Sequence, residues 1–528
     1  MAVTVPGTGG PSAQPVTIAG MSGDTSGIAQ ELSNALNTLN QAGSLVTTQQ
    51  SLSGSVSVPA APTAPPGTQT SVILDGGSGV NATVPGGYNF VVQNTTGSTT
   101  IIGSNTAVMT NSVGSSVTVT GTSTIAASGG NNNLSGTGNY MLSAGFGRDT
   151  IVGSGSGTIA GGNGLSNTLV GGGGSNVIIS SGTGDLVVGD SGNVTVNSTG
   201  NSAGILGVTG TVNASISGTG ATVSAGSADL SLTTSGSSGV VFGGAGSTAG
   251  GFNLNDQGAG NTVAAGDANS TVNAGGSGGL LFGGTGELNL TLGGANNTIV
   301  GGEGASTISA TSAGLIFGGA GVMNFVGGAG AVTIIGAPGG TEFVTVGGGG
   351  VMLSAGADNN LRITGGTGGA TLFGGAGSSI TYNSNQASAT MLGGAGSQTL
   401  MNGAGSSVGN FFSAGGDAGA SIRMIGGTGT DTFFGGAGTA SLTGGASGDL
   451  FAFFDESTQG QANVITDFAS ADAIYLIGYA TTGSASSLQN SAIVNSSGVT
   501  LTLSDSTTIT FSNLTNANQL DGRILYAP

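Results

Sequence analysis

The residues best placed to do chemistry in this chain are aspartates at a fixed offset from paired glycines. Three consecutive nonapeptides, 426–434 (GGTGTDTFF), 435–443 (GGAGTASLT) and 444–452 (GGASGDLFA), set that offset. Asp431 and Asp449 are the sixth residues of the first and third, 18 positions apart. If two nonapeptides make one coil, both carboxylates fall on the same edge, one coil apart, where their turns could share an ion. Ca²⁺ suits such a place because it takes about six to eight oxygen ligands, for which carboxylates supply the charge. Weaker candidates follow the same rule. Asp149 in AGFGRDTIV (144–152) and Asp185 in the unit 180–188 stand two coils apart, with Ser166 or Asn167 between them. Asp467 and Asp472 either bind a further calcium or close a turn. Through the central run the position is held by Met323, Val332, Met352, Leu361, Ala370, Ser379 and Gln398. None is a carboxylate, so most of the chain is expected to stand without calcium.

Other chemistries are excluded by what is missing. Among 528 residues there is no His, Cys, Trp or Lys, and the only basic side chains are Arg148, Arg362, Arg423 and Arg523. That removes Ser-His-Asp triads, cysteine nucleophiles, Schiff bases, HExxH zinc sites and the P-loop lysine. A formal net charge of -18 argues against nucleic acid and anionic membrane surfaces, which call for clustered cations. No apolar run approaches the ~20 residues of a membrane helix. The first residues, MAVTVPGTGGPSAQPV, have neither the basic nor the apolar region of a Sec-type signal peptide.

The elements that must position the aspartates are short strands joined by glycine turns. Gly is 112 of the residues and only 5% are charged, yet 37% are hydrophobic. Those apolar residues recur at fixed offsets from the glycines, so disorder is not expected. Glycine takes positive φ without steric cost, and the residues between glycine pairs form one strand rung. The eighth residue of each unit (Phe433, Leu442, Phe451) points into a core. Two nonapeptides give an 18-residue coil with a sheet on each side, stacking at the ~4.8 Å strand spacing. The fold class is therefore all-β, a parallel β-roll or β-solenoid with a short N-terminal helix and a C-terminal β cap. Stability comes from stacking, since one unit cannot bury its apolar face alone.

Along the chain, residues 1–57 read as a tail and an amphipathic helix. The helix starts at Asp24, Thr25 or Ser26, carries Ile28, Leu32, Ala35 and Leu39 on its apolar side, and ends near Gly43. It either packs on the solenoid as a cap or docks a partner. Residues 58–70 (VPAAPTAPPGTQT) read as a Pro-rich linker and domain boundary. Residues 71–143 are irregular β-sequence, 144–452 the solenoid, and 453–528 the C-terminal cap and secretion region. Irregular spacings, eleven residues from Gly336 to Gly347 and ten extra at 383–392, mark looped turns. Phenylalanines before Gly-Gly (Phe242, Phe282, Phe317, Phe373, Phe434) read as a stacked core or edge.

These units resemble the calcium-binding GGxGxDxUx repeats of the RTX family, in degenerate form. The resemblance is most specific at 444–453 (GGASGDLFAF) followed by 463–476 (NVITDFASADAIYL), similar to that family's C-terminal pattern D-x-I-x-D-F, spacer, D-x-I-x-L. Asn463 replaces the first Asp; Asp467, Phe468, Asp472, Ile474 and Leu476 match. The match covers about 85 residues directly and extends weakly back to 144. For the site, it implies that turn carbonyls at 427–429 (Gly427, Gly429) and 445–447 (Gly445, Ser447) complete a calcium shell with Asp431 and Asp449. For the cell, it implies export by a type I secretion apparatus of a Gram-negative bacterium, with an uncleaved C-terminal signal.

Family members usually carry an effector domain upstream, for which this sequence shows no candidate. The expected function is a secreted structural protein, not an enzyme, that self-assembles into a cell-surface layer, filament or biofilm component. The competing expectation is an extracellular adhesin, or a solenoid that binds or processes cell-surface polysaccharide. Without His and Lys, few groups change charge as pH falls to about 5, which suits an acidic environment.

Overall fold

A computed structural model describes residues 2–8, 14–18, 24–53, 56–76, 82–95, 100–111, 113–244, 251–383, 387–402, 407–415, 417, 419–455, 460–479 and 485–527. The fold is all-β, a parallel β-solenoid. Its contacts divide it into two units, Met1–Val272 and Asn273–Pro528, described in turn.

In the first unit most strands pair in parallel with the strand after next, so the two sheets alternate along the chain; exceptions include the antiparallel pair Val3–Val5 and Val16–Ile18 and the direct pairing of Ser116–Ala127 with Asn133–Ala144. Thr168 pairs with Leu186, Leu186 with Gly204, Gly204 with Thr222, and Thr222 with Val240, an 18-residue coil at every step. The alternation of side chains across a strand then fixes what is buried. Val187, Ile205, Val223 and Val241 form one inward column, while Val194, Val212 and Leu230 form a column from the opposite sheet. The coil extends further toward the N-terminus than expected. Leu45–Leu52 pairs in register with Gln69–Gly76, and Val56–Ser57 with Ala82–Thr83, so strand pairing runs straight across the Pro-rich segment 58–70. In 71–143 the strands Ser116–Ala127 and Asn133–Ala144 lie in continuous register over their whole length.

The helix runs Asp24–Gln41, with the positive φ of Gly43 just beyond it. Its buried side is Ala29, Ser33 and Leu36, one residue out of step with the expected stripe; Ala35 is exposed, and Ile28, Leu32 and Leu39 are only half-buried. The reason is what it packs on. Ala29 and Leu36 cover Ile73, Val92, Met109 and Ala126, an outward column of one sheet, together with the hairpin Val3–Val5 and Val16–Ile18. Ser33 donates its hydroxyl to the Thr4 carbonyl, a polar contact that accounts for a serine on the buried side.

In the second unit the same coil carries an inward column Leu281, Ile299, Ile316, Ile334, Leu353, Leu372, Met391, Phe412, Phe433 and Phe451. Phe433, Leu442 and Phe451 are fully buried, as their place in the nonapeptide predicts. Phe412, Phe433 and Phe451 stack with ring centroids 4.8 and 5.1 Å apart, the strand spacing itself. The eleven-residue interval is a turn at 337–340, with Gly339 at positive φ; residues 384–386 of the second irregularity lie outside those described. Toward the C-terminus Ala462–Ile465 pairs with Thr508–Phe511, and Ala473–Ile477 with Ile524–Ala527. The strand Gly498–Thr502 closes antiparallel on Thr508–Phe511. Phe468 bridges the aromatic stack to this hairpin, meeting Phe451 at 6.1 Å and Phe511 edge-on at 5.0 Å.

Candidate functional site

The residue just before each strand of one sheet occupies a corner of the coil and points inward. There the backbone leaves the ladder and its N–H needs another acceptor. At the C-terminal end of the second unit, side chains provide it. Asn410 Oδ1 accepts from Ala389 N at 2.9 Å, Asp431 Oδ1 from Asn410 N at 2.7 Å, Asp449 Oδ1 from Asp431 N at 2.8 Å, and Asp472 Oδ1 from Asp449 N at 2.9 Å. Each carboxylate or amide thus caps the equivalent residue one coil earlier.

The expected pair is therefore brought together, and it is buried: Asp431 is 0% and Asp449 2% exposed. Other oxygens are also engaged. Asp431 Oδ2 accepts from Gly427 N, Asp472 Oδ2 from Ala469 N, and Asp467 takes Gly444 N and Gly445 N on its two oxygens, all at 2.8 Å. Asp472 thus spans its own turn, while Asp467 caps the glycine turn one coil earlier. The exception is Asp449 Oδ2, buried without a hydrogen-bond partner.

The four turn residues named with this pair lie in the adjoining turns and contact mainly one another and the coil beneath. The Gly427 carbonyl accepts Ala446 N, and the Ser447 hydroxyl donates to the Thr428 carbonyl. Gly429 backs onto the backbone of Val408 and Gly409. Gly445, at φ +101, lies so close under the Gly427 carbonyl that any Cβ would collide with it. Among the described residues, no group of three or more His, Cys, Asp or Glu converges with metal-holding geometry. Amide N–H groups aimed at the carboxylates are what an anion attracts. The atom suited to a cation is Asp449 Oδ2.

Burial governs the charge of this column. It raises Asp449 to about 7, and the nearby Asp472, Asp431 and Asp467 add to the rise against the Asp431 N–H. Asp431 and Asp472 are also raised by burial, opposed by the amides they accept; Arg523 further opposes the rise at Asp472.

The weaker pair lies in a second column of the same kind, in the first unit. Asn132 caps Ser115 N, Asp149 caps Asn132 N, Asn167 caps Asp149 N and Asp185 caps Asn167 N, at 3.0, 2.6, 2.9 and 2.9 Å. Asn167, not Ser166, is the intermediate residue. Asp149 Oδ2 is again buried without a partner, and burial raises this carboxyl to about 6. The ladder roles of Asn132, Asn167 and Asn410 were not foreseen. Their signal is a recurrence of Asn or Asp before a strand at coil spacing.

Two assignments in the central run shift by one residue. The corner position is Val351, which pairs with Ala370, while Met352 faces outward. In the other sheet Leu361 pairs with Ile380, not Ser379. Of the phenylalanines before Gly-Gly, Phe242, Phe282 and Phe373 stand on the outer face, 38–46% exposed, whereas Phe317 and Phe434 are half-buried and Phe434 packs against the rings of Phe411 and Phe454.

The two outer faces differ in chemistry. In the first unit one bears exposed rows such as Thr195, Asn213, Ser231 and Asn253 in register. The other exposes Leu186, Leu206 and Phe242. The second unit repeats the contrast, with Asn289, Thr307 and Asn324 on one sheet and Phe282, Ile335 and Phe373 on the other. Compared with family models, curated proteins and solved structures, the chain matches none.

Proposed function

We propose that this chain is a structural protein of the cell surface or extracellular matrix, assembling with copies of itself into a layer, filament or biofilm component. It is not an enzyme in this reading. The observation that carries the proposal is the in-register repetition of largely uncharged outward rows along each unit, interrupted in the second by Arg362 and Arg423. A flat surface with one spacing repeated many times fits another copy of the same surface better than it fits a small substrate. Only 5% of the residues are charged, so few ionised groups stand on these rows.

Calcium enters the proposal at the C-terminal column. Asp449, through its unpartnered Oδ2, and Asp431 one coil before it are the carboxylates to hold an ion, with Gly427, Gly429, Gly445 and Ser447 in the adjoining turns. Asp149 is the corresponding atom in the first unit. Bound calcium would offset the charge of carboxylates that are otherwise costly to ionise. Export through a type I apparatus of a Gram-negative bacterium is supported by the motif at 463–476.

A second reading, adhesion to a cell-surface polysaccharide, is favoured by the exposed Thr, Asn and Ser rows, whose hydroxyls and amides suit sugar hydroxyls. Among the described residues no helix is long and apolar enough to cross a membrane. Negative-stain electron microscopy of the purified protein, in calcium and in chelator at several concentrations, tests both readings. Regular filaments or lattices are expected. Dispersed single particles in both conditions would overturn the structural reading and leave the adhesin.

A further inference from the structure

We infer that the outer apolar face of the second unit, on the strands from Leu280–Phe282 to Leu450–Phe454, is the surface where two copies of this chain meet. The inference rests on the self-assembly reading and specifies its contact.

One outward row of this face is mainly apolar, and the row beside it mixes Leu280, Leu315 and Met352 with Thr298, Thr333, Thr371 and Thr390. Phe282, Val300, Phe317 and Ile335 follow one another in register on successive strands, and after Ser354 the row resumes at Phe373. These are large side chains at a strand's outward positions, and Phe282, Ile335 and Phe373 stay 38–39% exposed. A soluble surface seldom shows so long an apolar patch without a partner. In the first unit the chain itself covers such a column: the helix lies over Ile73, Val92, Met109 and Ala126 and buries them.

Charge selects the occupant. None of the strands on this face contains Asp, Glu, Lys or Arg, whereas Arg362 and Arg423 lie outward on the opposite sheet. An ionic partner or an anionic membrane would find no counter-charge here. A second copy brings the same uncharged rows at the same spacing, and two sheets packing face to face at ~10 Å interdigitate such rows.

Area agrees. Ten strands at ~4.8 Å spacing, each about four residues of ~3.3 Å rise, cover on the order of 600 Å². Two facing copies remove about 1,200 Å² from water, the lower end of the range for stable specific interfaces. Because the contact is apolar, association should survive high salt and chelator and strengthen in sulfate.

The test is sedimentation velocity of the full chain over a wide concentration range, in chelator and ~1 M NaCl, where exposed charges are screened. The double variant Phe317→Glu/Phe373→Glu is compared with Thr307→Glu/Thr381→Glu on the opposite sheet. The first pair should weaken association by about 100-fold or more, since each buries an unpaired charge; the second should change it little. Circular dichroism checks that both keep their strands. If the first pair associates like the parent, the face is wrong while self-assembly stands. A parent chain that stays monomeric throughout overturns both readings, and one whose Phe317 and Phe373 instead bind phosphatidylcholine vesicles overturns the second copy as occupant. Should the glutamates prevent folding, single thiols decide, since the chain has no Cys. The thiol of Ile335→Cys should be shielded from maleimide on assembly and that of Thr307→Cys should not. Equal reactivity of the two overturns the inference.

Discussion

Asp449 Oδ1 accepts the backbone N–H of Asp431 across one coil at 2.8 Å, while Asp449 Oδ2 is buried with no hydrogen-bond partner. One carboxylate thus combines a structural cap with an uncompensated charge. A backbone amide in the coil corner needs an acceptor, and Asn would serve as well, as Asn167 and Asn410 do. The carboxylate adds only the ability to bind a proton or a cation.

Asp449→Asn separates those roles. In chelator the variant should melt no lower than the parent, and above about pH 7 it should melt higher, because the parent must then ionise Asp449 beside Asp431, Asp467 and Asp472. Adding calcium should raise the melting temperature of the parent alone. Equal calcium responses would remove Asp449 from the proposed site; calorimetric melting scans in the two buffers decide.

Glu342 is a carboxyl in the apolar interior, 1% exposed, with Oε1 accepting from Ala337 N and Oε2 unpartnered. It stands in register between Met323 and Leu361, neither of them charged. Burial raises it above the ordinary carboxyl range, against hydrogen bonds from Asn359 and Ala337. With the folded value above the unfolded one, the folded state binds the proton more tightly. Stability is then greatest at or below the unfolded value and falls as pH rises toward the raised folded value. Glu342→Gln should flatten that part of the stability–pH curve, measured by denaturant unfolding from about pH 4, near the ordinary glutamate value, upward.

Phe433 lies fully buried between Phe412 and Phe451. Phe433→Ala should cost about 3–5 kcal/mol from lost transfer and the cavity left behind. Because a stacked repeat loses contact only with its neighbours, hydrogen exchange should speed up around 410–455 and stay slow near 300.

Asn167→Ala removes the acceptor of Asp149 N and the donor to the Gly161 carbonyl, both buried. A loss of about 1–3 kcal/mol is expected for the groups left unpaired. Asn167→Asp keeps the acceptor but places a third carboxylate beside Asp149 and Asp185. It should recover part of the loss below pH 5, where such groups begin to take up protons, and none of it at pH 8. Urea unfolding of the three proteins at both pH values checks this.

Much of the backbone plan was legible in the glycine spacing. The paired glycines and the apolar eighth residue mark turn and rung, and the 18-residue coil, the parallel pairing and the burial of Phe433, Leu442 and Phe451 follow.

Inward or outward placement depended on the tertiary structure. Side chains alternate with period two, so an uncertainty of one residue in a run such as Gly347–Gly350 exchanges the faces, which is why Val351 and not Met352 holds the corner. The same ambiguity hid the apolar outer face, since Phe before Gly-Gly can read as core or surface. The helix turned by one residue because the column beneath it, Ile73 to Ala126, is built from strands far apart in sequence. The capping ladder was obscured by insertions that stretch its steps from 18 to 21 or 23 residues at Asn410 and Asp472. Local sequence specifies turn and strand through φ preference and hydrophobic period. Which amide lacks a partner, and which face lacks a cover, is decided only when the coils are stacked.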